Sequence, residues 1–391
     1  MKKIPLLLKI VIAVILGVMT GTFAPLVVIQ LSATFNQIFG SFLSFIVPLI
    51  IIGFIVPGIG SLSQDAGKLL GVTTLTAYLS SITAGIFAFS VARLLYPKML
   101  HLTMMKNISD PSEGLVKSLL SIEIPPIMDV MTALVLSFMI GLGLSTLKSN
   151  QLFQVFDEFQ SIVVWTLQKA IIPLLPFHIF GIFANMTYAG QVQTILSIFA
   201  KVFLMIIILH IIYLIFLYSV AGSMNKKNPF FLLKTMAPAY FTAVGTQSSA
   251  ATIPVTLQQA KKAGISERIV DFVIPLCANI HLAGSTITLV SCSMAILFMK
   301  DHLPNFGEMF PFILVLGIIM IAAPGVPGGA VMAATGPLAS ILGFDAAMIS
   351  LIIALYLAQD SFGTACNVTG DGAIATIVDA IANRTSKKKL V

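Results

Sequence analysis

Asp360, Thr364, Asn367 and Asp371 lie in one apolar stretch near the C-terminus, in the segment DSFGTACNVTGD. Their spacing of 4, 3 and 4 puts them within roughly 60° of one another on a helix turning about 100° per residue. They form one polar stripe about 16 Å long at ~1.5 Å per residue. A carboxylate held in a bilayer costs roughly 3 kcal/mol even on the lenient insertion scale, so each aspartate needs a cation, a cavity or a basic partner. Asp360 has no neighbouring arginine, and a ligand ammonium group is a suitable counter-charge. Asp371 follows NVTG, read as a carbonyl-rich turn, and precedes Gly372, a setting that suits a hard monovalent cation bound by oxygen. Gly363, Gly370 and Gly372 lie near the stripe and let a backbone, ion or ligand approach closely. A structural pairing with Lys169 or Lys201 is the bland alternative.

Other chemistries fit less well. An intramembrane aspartyl protease needs carboxylates on facing helices, whereas these share one helix, and no GxGD run occurs. A zinc enzyme needs HExxH or a His/Cys cluster, and His101, His178, His210, His281 and His302 are scattered. Cys277, Cys292 and Cys366 show no paired spacing and read as small packing residues. A passive channel stays open as a reading, because polar stripes also line pores.

The elements that must position the stripe follow from composition. The chain has 391 residues, 58% hydrophobic and 9% charged, with a mean hydropathy of +1.02. A surface that apolar belongs in a bilayer, and the expected class is an all-α integral membrane protein. Apolar runs at roughly 10–30, 41–60, 72–95, 127–147, 160–186, 193–222, 269–298 and 346–381 predict about eight spanning helices, since a crossing takes about 20 residues. The formal charge of +7 is a topology signal and not a nucleic-acid footprint. Lys2, Lys3, Lys9, Lys226, Lys227, Lys261, Lys262 and the lysines at 387–389 fall at alternate loop ends, which predicts both termini in the cytoplasm.

The C-terminal part departs from plain spans. Residues 236–260 are apolar but broken at GTQSSAAT, with basic residues at both ends; residues 308–343 are broken at APGVPGGA and start from the opposite side. Two interrupted segments, each followed by a full span, predict two re-entrant hairpins in an inverted repeat with a site between their tips. The layout expected is residues 1–223 as six spans, largely scaffold and trimerisation with part of the transport domain, and 224–391 as a transport core with hairpins at 236–260 and 308–343 and helices at 269–298 and 346–381. Ser248 and Ser249 at the first interruption supply hydroxyls and freed backbone groups suited to a carboxylate.

The motifs GTQSSAATIPVT, GISERIVDFVIPL, GVPGGAVM and NVTGD, in this order, resemble the dicarboxylate/amino acid:cation symporter family, the glutamate-transporter-like sodium symporters. The resemblance covers residues 240–381 by motif and most of the chain by layout. It implies a homotrimer in the lipid bilayer of the cytoplasmic membrane, with no enzymatic activity and no cofactor besides coupling ions, whose protomers carry an amino acid and sodium by an elevator motion. By the resemblance, Asp360, Thr364, Asn367, Ser248, Ser249, Ser285 and Val326 contact substrate. Asp371 and Asn367, with the carbonyls of Cys277 and His281, match one sodium site, and Ser80 and Ser81 supply hydroxyls to a deeper one.

Two departures carry information. An arginine that grips a side-chain carboxylate in some members is replaced by Gly363, and its alternative position is Gln247. Without a guanidinium a second substrate carboxylate would stand unpaired, so a small neutral amino acid is expected, with glutamate, aspartate or a C4-dicarboxylate as the alternative. The family's Asn-Met-Asp-Gly-Thr run reads His281, Leu282, Ala283, Gly284, Ser285, which removes a carboxylate from the deeper ion site. His281 either fills that space by hydrogen bonding or couples transport to protons as a titratable group.

Overall fold

A computed structural model describes residues 6–60, 67–100, 116–146, 151–190, 192–323 and 328–388. Fifteen α-helices follow one another: α1 Leu6–Phe23, α2 Leu26–Gly60, α3 Gly67–Met99, α4 Val130–Thr146, α5 Gln151–Thr166, α6 Ile172–Tyr188, α7 Val192–Asn225, α8 Pro229–Thr235, α9 Ala237–Thr246, α10 Ser249–Lys262, α11 Glu267–Ile280, α12 Ala283–Met299, α13 Phe306–Ala322, α14 Gly329–Leu342 and α15 Ala346–Lys388. No strand occurs among the described residues. Six of the helical runs are long and apolar enough to cross a membrane, and the chain is a multi-pass membrane protein.

Several boundaries differ from the apolar runs. The run at 10–30 spans a turn: α1 stops at Phe23, Ala24 N–H closes on Thr20 O at 2.8 Å, and Pro25 lets a new helix start. The polar residues before position 41 are helical too, so α2 extends over 35 residues. Ser32 and Thr34 return their hydroxyls to Ile29 O and Gln30 O, at 2.8 and 2.7 Å, which removes their cost inside the helix. Between α5 and α6 the backbone widens into a π turn at Leu167–Ile171.

The expected continuous helix at 269–298 is broken. His281 adopts φ −114°, ψ 95°, and Leu282 φ −120°, ψ 47°, so α11 and α12 meet at an extended link. NVTG, read as a turn, is instead helical within the 43 residues of α15. Its glycines serve packing: a Cβ on Gly370 would lie 2.8 Å from the His281 ring, and one on Gly372 would lie 2.7 Å from Tyr218 Oη. The turn signal of glycine is overridden by tertiary contact.

Both interrupted segments are helical hairpins. In the first, only Gln247 and Ser248 leave the helix; Gln247 is left-handed at φ 53° and Ser248 caps α10 with its side chain. In the second, α13 ends at Ala322 and α14 starts after Gly328, at φ 75°. The arms pack on each other in both pairs.

Helix packing sorts the chain into two groups. Helices α1, α2, α4, α5 and α6 pack together, while α3 and α7 pack with α9 to α15. Helix α15 runs through the second group, touching α3, α7, α9, α10, α11, α12 and α14. Across the seam, α2 meets α13 and α14, and His178 on α6 joins Ser350 on α15 through Nε2 at 2.9 Å while its Nδ1 meets Asn36 on α2 at 3.1 Å. Two apolar cavities flank α15 along that seam. One of about 390 Å³ touches Leu43, Pro48, Met332 and Ser350; one of about 250 Å³ touches Val14, Phe183, Phe203 and Ala358.

Candidate functional site

The stripe on α15 is buried on the second helix group: Asp360 is 4% exposed and Asp371 is 1% exposed. Asp360 meets the tip of the second hairpin, where Gly328 N–H donates to its Oδ2 at 2.7 Å. This places a carboxylate at the N-terminus of α14, where free N–H groups and the helix dipole favour negative charge. Tyr356, one turn before Asp360, donates its Oη to Ser285 Oγ at 2.8 Å. Asn367 Nδ2 donates to the same Ser285 oxygen at 3.0 Å.

The first hairpin closes on the neighbouring turn of α15. Gln247 Nε2 donates to Ser361 Oγ at 2.8 Å. Ser248 Oγ accepts from Ala251 N–H at 3.3 Å, and buried Ser249 opens α10. Ser248 and Ser249 thus fall on the first hairpin, Ser285 on α12, and Asp360, Thr364 and Asn367 on α15. Val326 lies outside the described residues.

Around Asp371 the partners differ. His281 Nδ1 meets Asp371 Oδ1 at 2.9 Å, and the other ring nitrogen, Nε2, meets Ser80 Oγ on α3 at 2.9 Å. Tyr213 Oη lies 2.8 Å from Ser80 Oγ and donates to Ser80 O at 2.7 Å. The imidazole is fully buried. Asp371 therefore pairs with His281 and not with a lysine: Lys169 is exposed, and Lys201 Nζ donates to Met99 O at 3.0 Å.

The expected ion ligands are engaged within the protein. Asn367 Oδ1 accepts from Gly284 N–H at 2.7 Å and Ser285 N–H at 3.3 Å, capping the open start of α12. Cys277 O accepts from His281 N–H at 2.9 Å. Ser81 is buried on α3 and its Oγ has no protein partner. Among the described residues, no cluster of three His, Cys, Asp or Glu could hold a metal.

Several polar groups here escaped sequence reasoning. Tyr356 stands four residues before Asp360 and extends the stripe by one turn, a signal available in the spacing alone. Tyr213 and His210 sit three apart in the oily α7; His210 Nε2 meets Gly284 O at 3.0 Å and Thr288 Oγ1 at 3.3 Å, while its Nδ1 has no partner. Ser361 carries no pattern that marks it, because its role depends on where the first hairpin lands.

The arrangement around Asp360 offers a buried carboxylate met by a helix end, with hydroxyls and an amide nearby, which suits the binding of a cationic group. Comparison with known proteins agrees. The chain is 25% identical over 399 residues to the serine/threonine transporter SstT of Acinetobacter baumannii (strain AYE), covering 98% of this chain and 98% of the relative. It is 24% identical over 391 residues to the serine/threonine transporter SstT of Acinetobacter baylyi (strain ATCC 33305 / BD413 / ADP1), covering 96% and 97%. The model of the sodium:dicarboxylate symporter family matches residues 6–381. With hairpin tips, a broken helix and a buried carboxylate stripe inside the matched region, the chain belongs to the sodium:dicarboxylate symporter family and is a transporter, not an enzyme.

Proposed function

We propose that this protein imports a small neutral amino acid, serine or threonine among the first candidates, together with sodium across the cytoplasmic membrane. The observation that carries this reading is the setting of Asp360 and Gly363 on adjacent turns of α15. Asp360 offers a buried charge matched to an ammonium group, met by the Gly328 N–H at the second hairpin tip. Gly363, one turn on, presents no cation to a second carboxylate. Packing does not force that glycine, since a Cβ there would meet Thr288 Oγ1 at 3.6 Å, an ordinary contact. A neutral zwitterion leaves no buried charge unpaired, whereas glutamate would. The two relatives, both serine/threonine transporters, are consistent with this.

In this reading α1, α2, α3, α4, α5 with α6, α7, α11 with α12, and α15 form eight crossings. The pairs α9–α10 and α13–α14 are re-entrant, and both termini lie in the cytoplasm. The α1, α2, α4, α5, α6 group is the scaffold of a homotrimer, and the group built on α15 moves against it in an elevator motion. Substrate contacts Asp360, Thr364, Asn367, Ser285, Ser248, Ser249 and the Val326 backbone, and enters when the tip bearing Gly328 leaves the Asp360 carboxylate.

Purified protein in liposomes tests the reading. Labelled serine, threonine or alanine should accumulate above equilibrium when a sodium gradient is imposed. Flux that never exceeds equilibrium would show a channel, and accumulation of glutamate or a C4-dicarboxylate alone would show the acidic alternative.

A further inference from the structure

Ser80 on α3, expected to supply a hydroxyl to a deeper sodium site, faces an imidazole instead. His281 spans the space between α15 and α3 with both nitrogens, 2.9 Å from Asp371 Oδ1 and 2.9 Å from Ser80 Oγ. The link between α11 and α12 holds it in place, and Gly370 leaves room for its ring. We infer that His281 fills the space of that deeper site and closes it to sodium, so that the sodium this carrier uses binds outside the gap between Asp371 and Ser80.

The partners of Ser80 support this. Its Oγ lies 2.9 Å from His281 Nε2 and 2.8 Å from Tyr213 Oη, and its carbonyl accepts from Tyr213 Oη at 2.7 Å, so the hydroxyl is engaged on both sides. Position 283, at the start of α12, is an alanine and offers no carboxylate to an ion in that gap.

The inference rests on the symporter reading, and one set of measurements separates the two. Equilibrium binding of radioactive sodium is counted per protomer in full-length wild-type protein, Ser80→Ala and His281→Ala, with sodium-dependent thermal stabilisation followed in parallel. Wild type and Ser80→Ala should bind the same number of sodium ions with midpoints within about twofold, although Ser80→Ala melts lower. His281→Ala exposes the Asp371 carboxylate beside Ser80 and Ser81, and should gain one bound sodium and a steeper sodium titration. Loss of one sodium in Ser80→Ala, or a tenfold weaker midpoint, would make Ser80 a ligand and overturn the inference. If His281→Ala does not fold, the Ser80→Ala comparison decides alone. A wild type that is stabilised by no neutral amino acid in sodium would instead sink the symporter reading.

Discussion

The two aspartates of α15 sit on one helix face, three turns apart, yet they are held in opposite ways. Asp360 is met by a hairpin tip, through one backbone N–H. Asp371 is met by an imidazole fixed at a helix break and tied onward to Ser80 and Tyr213. Partners that can withdraw leave a carboxylate free to change partners; partners locked into the core make it part of the fold. Burial alone, which is almost equal at the two sites, does not distinguish them.

The sharpest way to break this contrast is to remove each carboxylate and compare stability. Asp371→Ala leaves the imidazole without its partner and should cost about 3–5 kcal/mol of stability, whereas Asp360→Ala should melt near wild type. Equal losses in thermal unfolding would erase the distinction. The complementary measurement is binding. Asp360→Asn should weaken amino-acid affinity by about 30-fold or more, as expected when one member of a buried charge pair is truncated. A titration calorimetry result within threefold of wild type would remove Asp360 from the ammonium site.

Smaller effects refine the comparison through the helix that faces both ends. A Cβ on Gly284 would lie 2.5 Å from Gly363 O and 2.6 Å from Cys366 Cβ, so Gly284→Ala should cost about 1–3 kcal/mol by overpacking. Gly363→Ala has room and should change stability by less than about 0.5 kcal/mol; the reverse ranking in melting temperature would contradict the packing. A local effect is expected for Ser361→Ala, which removes the acceptor of the Gln247 side chain. It should cost about 1 kcal/mol, read as faster hydrogen exchange at the first hairpin tip with little change elsewhere.

Much of this was legible in the residues. Spacing alone placed Asp360, Thr364, Asn367 and Asp371 on one face, and interrupted hydropathy located both hairpins. What was not legible depended on partners distant in sequence. NVTG reads as a turn until Tyr218 and His281 are seen packed against its glycines, and Pro25 divides an apolar run that hydropathy treats as one. The break at His281 carries no glycine or proline, so no local rule marks it; it exists because Asn367, 86 positions on by sequence number from His281, caps the new helix end. Asn367, expected to coordinate sodium, accepts the N–H groups of Gly284 and Ser285 through its side-chain oxygen, a partnership that the spacing does not reveal.

The seam beside α15 has a mechanical consequence. Where the helix passes α6 it is pinned by His178 to Ser350, and on either side it faces empty space of about 390 and 250 Å³. A close-packed surface interlocks and resists shear, because every side chain must climb out of a hole. A surface that borders voids is already disengaged over part of its length, so sliding there surrenders a hydrogen bond worth about 1 kcal/mol and little interlocking. In the elevator motion proposed above, these gaps would lower the resistance to sliding along the seam.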